Sequence, residues 1–272
     1  MKHWLLHVGL ICGLGLWLTP AGAAGAGDDG AGSSHEPTHW AFVKPVNQAP
    51  PEVGQSECVR NDIDRFILAR LEENGLSPAA PADRRVLILR LHFDLIGLPP
   101  TPDEVREFVE SSSPTAYEDL VDSLLDNPGY GQRWGRYWLD LAGYADSEGG
   151  VSADPLRAVA WKYRDYVIQS FNADKPYDRF LLEQVAGDEL VDYEKADPVT
   201  DEMVDNLVAT GFLRMGIDQT GSRTMNFVPE RLGVIGDAIQ VVGTGLMGLT
   251  MECARCHSHK YDPIPQRDYY RF

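Results

Sequence analysis

The sequence predicts an all-α fold, a multi-helix globular domain with irregular loops behind a cleaved signal peptide and a flexible leader. Three observations carry this. Apolar residues recur at helical spacing in segment after segment between residues 61 and 186. Helix-start signals stand directly before several of those segments. No strand-like alternation persists with a matching hairpin turn. The 272 residues are 43% apolar, enough to bury a core. With 41 acidic and 24 basic side chains the formal charge is −17, which argues against a nucleic-acid partner because a phosphate backbone would be repelled.

The elements follow in chain order. Lys2, the apolar run Trp4 to Leu18, the breaker Thr19-Pro20 and the small residues Ala21 to Ala24 have the layout of a secretory signal, cleaved after Ala23 or Ala24. Residues 1–24 are therefore expected to leave the mature chain, taking Cys12 with them, and the run is too short for the ~20 apolar residues of a membrane span. The protein is expected to be periplasmic or secreted, with no transmembrane span in the mature chain. Residues 25–51, rich in Gly, Ala, Ser and Pro, read as a flexible leader, with Trp40 and Phe42 docking onto the domain that spans 52–272.

Asn61 opens the first helix, with Ile63, Phe66, Ile67, Arg70 and Leu71 on one stripe and Gly75 as its stop. A second runs from about Asp83 to Ile96. Thr101-Pro102-Asp103-Glu104 gives the third an N-cap, a first-turn proline and an acidic first turn, with Val105, Phe108 and Val109 as its buried side. Tyr117, Leu120, Val121, Leu124 and Leu125 mark a fourth helix. Trp134, Tyr137, Trp138, Leu141 and Ala142 mark a fifth, and two more lie around Trp161–Phe171 and Tyr177–Ala186. Gly211–Asn226 reads as a loop. The apolar stretch from Pro229 to about Met251 reads as a buried helix, since Glu230, Arg231, Asp237 and Gln240 interrupt it.

One motif carries chemistry. Cys253-Ala254-Arg255-Cys256-His257 has the C-x-x-C-H spacing of covalent c-type haem attachment. Two thiols three residues apart on one turn each form a thioether to a haem vinyl group, and the next residue offers imidazole to the iron as proximal ligand. Haem c is attached outside the bacterial cytoplasm, so the signal peptide points the same way. Two other readings stay open at this point. Cys253 and Cys256 can pair as a disulfide in an oxidising compartment. Cys253, Cys256, His257 and His259 can instead hold zinc, with Cys58 or Asp262 recruited to improve the geometry. For the sixth iron position Met215, Met225, Met247, Met251, His92 and His259 are candidates by type, although His259 lies close in sequence to the proximal ligand.

Several longer strings resemble one family: Asn61-Asp62-Ile63-Asp64-Arg65-Phe66-Ile67, Phe93-Asp94-Leu95-Ile96-Gly97-Leu98-Pro99-Pro100-Thr101-Pro102, Tyr130-Gly131-Gln132-Arg133-Trp134, Arg164-Asp165-Tyr166-Val167, Phe171-Asn172-Ala173-Asp174-Lys175-Pro176-Tyr177-Asp178, and Cys256-His257-Ser258-His259-Lys260-Tyr261-Asp262-Pro263-Ile264. The chain is similar to planctomycete cytochrome c-like proteins carrying the domain of unknown function 1549, from His39 to Phe272. The resemblance implies a haem role for Cys253, Cys256 and His257. It also implies a larger exported protein in which this domain precedes another, so that the partner is either a redox protein or a C-terminal domain missing from this fragment. Ser258 stands where look-alikes commonly carry Asp or Asn.

Other features are weaker. Trp134, Tyr137 and Trp138 can stack on a sugar or wall a haem pocket, but such a stripe is more often core. Asp146, Glu148 and Asp154 place carboxylates on a Gly-rich loop, where calcium or a substrate can bind, although the spacing is not that of an EF-hand. The expected function is electron transfer by an exported c-type cytochrome-like protein. Its rivals are a binding or scaffold module of a polysaccharide-handling assembly, with a structural or metal-holding C-x-x-C-H, and a hydrolase resting on the Asp146 loop.

Overall fold

The computed structural model describes residues 40–149, 154–193, 195–217 and 228–272. The signal segment 1–24, the leader as far as residue 39, Cys12 and Met225 lie outside the described residues. The chain forms two compact units, Met1–Ala79 and Ala80–Phe272.

In the first unit, Trp40–Phe42 make one 3-10 turn in which Trp40 is exposed. The first helix, α1 (Asp62–Glu73), begins where the sequence says it should. Asn61 accepts the N–H groups of Ile63 and Asp64, while the Asp64 carboxylate accepts the Asn61 N–H. The Arg60 N–H also donates to that carboxylate, at 2.8 Å, and the bonds from Arg60 and Asn61 hold the Asp64 carboxyl below its ordinary range. The helix stops at Gly75, whose φ of 66° suits a residue without a Cβ. Its apolar stripe is not its buried side: Leu68 is buried, while Ile63, Phe66 and Ile67 are exposed. The reason is the chain before the helix, whose Gly54 and Gln55 N–H groups are held by the Glu72 carboxylate and so cover the Leu68 side.

The second unit contains α2 (Arg84–Leu95), α3 (Pro102–Glu110), α4 (Ala116–Leu125), α5 (Gly129–Ala142), α6 (Ala160–Asn172), α7 (Tyr177–Ala186), α8 (Asp201–Ala209), α9 (Val228–Met247) and the single turn α10 (Gln266–Tyr269). Asp83 caps α2 and Thr101 caps α3 in a full capping box with Glu104. Phe108 is the buried residue of α3 and Leu124 that of α4. Among the described residues the only β contact is an isolated bridge between Ser147 and Leu156.

The main core is built by α5, α6, α7 and α8 around Trp138, Tyr163, Val167, Phe180 and Ala209. Here the face of α5 differs from expectation. Its buried residues are Gly131, Gly135, Trp138 and Ala142, while Trp134, Tyr137 and Leu141 remain partly exposed. The cause is close packing on α6. A Cβ at Gly131 would stand 2.3 Å from the Ile168 carbonyl oxygen, and one at Gly135 would touch Val167 at 3.4 Å. Glycines let the two backbones meet, so the face with the smallest side chains turns inward.

Several polar groups in this core are paired, while Ser170 Oγ, Gln184 Nε2 and Asn206 Nδ2 are buried without a hydrogen-bond partner among the described residues. Trp138 Nε1 donates to the Tyr163 hydroxyl at 3.0 Å, which donates to Gln184 Oε1 at 2.7 Å. Burial pushes the Tyr163 phenol well above its ordinary value. The Glu183 side chain, 5% exposed, accepts bonds of 2.6 Å from Lys175 Nζ, Arg179 Nε and the Tyr166 hydroxyl. Burial pushes its carboxyl up, and the three donors outweigh that and hold it below the ordinary range.

Two further elements depart from the sequence reading. The stretch read as a loop from Gly211 opens with a 3-10 turn, Thr210–Arg214, that buries Phe212 completely enough (1% exposed) to join the core. The helix expected to be buried to about Met251 ends at Met247, where Gly248 turns with φ 66°. It buries one face only: Leu232, Ile235 and Met247 are exposed, because the polar residues along it leave a single apolar side to pack.

Candidate functional site

The Cys-x-x-Cys-His motif sits on a 3-10 turn, Glu252–Arg255, that follows α9. Ala254, fully buried, anchors the turn in a small second core with Met251, Ile264 and Tyr269. A Cβ at Gly243 would come within 2.9 Å of Met251 Sδ, so the gap in the α9 surface admits the thioether. One buried residue flanked by exposed ones is what a tight turn on an apolar surface produces. Cys253, Cys256 and His257 consequently face solvent, and both thiols are free.

The turn is held from one side by α10. Gln266 Nε2 and the Tyr270 hydroxyl both donate to the Arg255 carbonyl, at 3.2 and 2.8 Å. The Gln266 N–H bonds the Ser258 hydroxyl at 3.2 Å. Within the turn the N–H groups of Cys256 and His257 both reach the Cys253 carbonyl. Sequence reasoning missed Gln266 and Tyr270, since bonds across eleven and fifteen residues leave no periodic trace.

The two histidines of the segment have opposite hydrogen-bond roles. His257 Nδ1 lies 2.9 Å from the Ser258 carbonyl. A carbonyl only accepts, so Nδ1 carries a proton, and in the neutral ring Nε2 keeps the free lone pair. That is the tautomer of a metal-ligating imidazole with its second nitrogen held by a carbonyl. His259 Nδ1 instead accepts the N–H groups of Tyr261 and Asp262, at 3.3 and 2.8 Å, and its own N–H bonds the Ile264 carbonyl. Its neutral ring therefore carries the proton on Nε2, and the side chain organises the loop from 259 to 264. These groups fit a covalently attached haem: two free thiols on one exposed turn and an imidazole with an available Nε2 beside them.

The candidates for a sixth ligand are scattered. Met215 is buried in the main core and Met251 beneath the motif itself, while Met247 is exposed at the end of α9. His92 is buried in α2, its Nδ1 donating to the Ile88 carbonyl at 3.0 Å. The acidic loop does not gather its carboxylates. Tyr144 donates to Asp146 at 2.7 Å, and its phenol is pushed up to about 12, by burial first and then by that bond. Both Asp154 oxygens are occupied, by the Ser147 hydroxyl and the Gly149 N–H. Among the described residues no three His, Cys, Asp or Glu side chains form a group able to hold a metal ion.

A family described as PSCyt2, Protein of unknown function (DUF1549), matches the chain over residues 62–272. No curated protein and no solved structure matches it.

Proposed function

The chain belongs to this PSCyt2 family, and from that premise we propose that it is an exported c-type cytochrome-like protein that holds haem covalently and passes single electrons. The observation that carries the reading is the exposed Cys253–His257 turn, with two free thiols and His257 Nδ1 held by the Ser258 carbonyl, which leaves Nε2 for a ligand. Cys253 and Cys256 would hold the haem through their thiols, and His257 would offer Nε2 to its iron. Ser258 keeps the proton on Nδ1 and fixes the plane of the ring. Gln266 and Tyr270 hold the Arg255 carbonyl between the two cysteines, so the thiols sit on a pre-set turn. When bound, haem supplies a reversible one-electron couple at iron. Residues 1–24 support export, and among the described residues no helix is long and apolar enough to cross a membrane.

The experiment is expression with the signal in a host that matures haem c, followed by denaturation and a pyridine haemochrome spectrum. Covalent haem is expected on the wild type, at one per chain, on a protein shortened at Ala23 or Ala24. The double substitution Cys253→Ala with Cys256→Ala should abolish it. An intact motif that leaves maturation without covalent haem overturns the proposal, and stoichiometric zinc without Soret absorbance would replace it with a metal site.

A further inference from the structure

Away from the cysteine motif, α5, α6 and α7 enclose a cleft of about 220 Å³ lined by Tyr130, Trp138, Phe171, Tyr177 and Phe180, with Ser170, Asp174 and Lys175 as its polar groups. This is below the ~300–1,000 Å³ of pockets that take drug-sized ligands, and suits a single ring. Trp138 has its N–H committed to Tyr163, so it offers the cleft carbon surface only. Ser170 is 5% exposed, and its hydroxyl has no hydrogen-bond partner of ordinary geometry among the described residues. Asp174 is held at φ 46°, a left-handed conformation that Asp and Asn tolerate better than most residues. Lys175 spends one N–H on Glu183, and its ammonium lies 4.7 Å from the centre of the Tyr166 ring, which leaves donor capacity for a ligand.

A second observation extends the cleft. Tyr130 at its rim begins a row of rings along α5. Its centroid lies 6.4 Å from that of Trp134, which lies 5.6 Å from that of Tyr137. Exposure grows outward along the row, with Trp134 at 38% and Tyr137 at 49%. Rows of exposed rings stack either nucleobases or sugar rings. With a formal charge of −17 the chain as a whole repels a nucleic-acid backbone, and the two arginines beside the row are engaged, Arg133 over the Tyr137 ring at 5.4 Å and Arg136 with Asp140 at 3.8 Å. Within the cleft, the Lys175 ammonium disfavours a cation and the Asp174 carboxylate disfavours an anion. The remaining ligand is neutral, has one apolar face, and carries hydroxyl groups that both donate and accept.

We propose that this cleft binds one pyranose ring of a neutral saccharide, with the Tyr130–Trp134–Tyr137 row carrying the next units of an oligosaccharide. Aromatic walls pack against the C–H faces of the ring. Asp174 accepts from its hydroxyls, Lys175 donates to them, and Ser170 does either. This site shares no residue with the cysteine motif and stands or falls independently of it.

The test is titration of the full chain by calorimetry, and by the fluorescence of its tryptophans, with glucose, mannose and xylose and with their neutral tetrasaccharides. Choline chloride and a thymidine oligonucleotide serve as counter-probes. Saturable binding of at least one saccharide series is expected. Asp174→Asn, which keeps the backbone conformation accessible, and Tyr177→Ala, at an exposed side chain, should each weaken it at least tenfold with the circular dichroism spectrum unchanged. Trp134→Ala should weaken the tetrasaccharide and leave the monosaccharide alone. Absence of saturable binding across the panel, binding of choline or the oligonucleotide instead, or saccharide binding indifferent to Asp174→Asn and Tyr177→Ala would each overturn the proposal.

Discussion

Glu183 shows how much of this protein is decided by single side chains that no pattern announces. Three donors surround one carboxylate that is 5% exposed, and two of them are cations only partly buried. Replacing it with Gln leaves Lys175 and Arg179 facing a neutral amide. The expected loss is about 2–3 kcal/mol in urea unfolding, below the ~3–5 of a fully buried pair because Arg179 reaches water. The same bonds make stability depend on pH. Asp64, Glu104 and Glu183 all titrate lower in the folded chain than in the unfolded one. The unfolded chain therefore binds their protons first. The stability they contribute is complete above the ordinary carboxylate value of about 4.5 and is lost as pH falls through it toward the lower folded values. The urea midpoint should fall between pH 6 and pH 3, with a shallower fall in Glu183→Gln; a flat profile would contradict this. The motif was legible at this scale and its hydrogen bonding was not. Cys253, Cys256 and His257 announce themselves by spacing, whereas the opposite tautomers of His257 and His259 depend on where the backbone of residues 258, 261 and 262 turns.

At the scale of elements, the ends of helices were easier to read than their faces. Asn61, Asp83 and Thr101 cap α1, α2 and α3 where the sequence places them, because a cap is a local contest between a side chain and the next few N–H groups. Thr101→Ala should accordingly cost about 1 kcal/mol in thermal unfolding. Helix α8 carries the same kind of signal, Thr200 accepting the Met203 N–H ahead of Asp201 and Glu202. Faces depend on what arrives from elsewhere in the chain. The apolar stripe of α1 lies outward because the preceding segment covers the other side, and α5 buries glycines in preference to Trp134. Two alanine substitutions separate these causes. Gly131→Ala should destabilise by about 1–3 kcal/mol or more, since its Cβ meets the Ile168 carbonyl at 2.3 Å and backbone cannot step aside. Gly143→Ala meets nothing within 4 Å and should cost about 1 kcal/mol through its φ of 71° alone.

For the whole molecule, the division after Ala79 is the feature with the plainest consequence. Ala80–Phe272 contains both cores, the cysteine motif and the aromatic cleft. Expressed alone, it should keep a helical circular dichroism spectrum and unfold in one cooperative thermal transition; a broad, non-cooperative melt would show that it depends on the preceding residues. The all-α class was legible from composition and period because both are averages over many residues, while this division depends on contacts distant in sequence. The glycine seam between α5 and α6 has a mechanical meaning as well. At Gly131 the contact is with the Ile168 carbonyl, where there is no rotamer to turn, and at Gly135 a Val167 methyl closes the gap, so the joint has little room for intermediate settings. The two helices behave as a single lever, and any rearrangement that ligand or partner provokes must bend the connections at its ends rather than slip along its length.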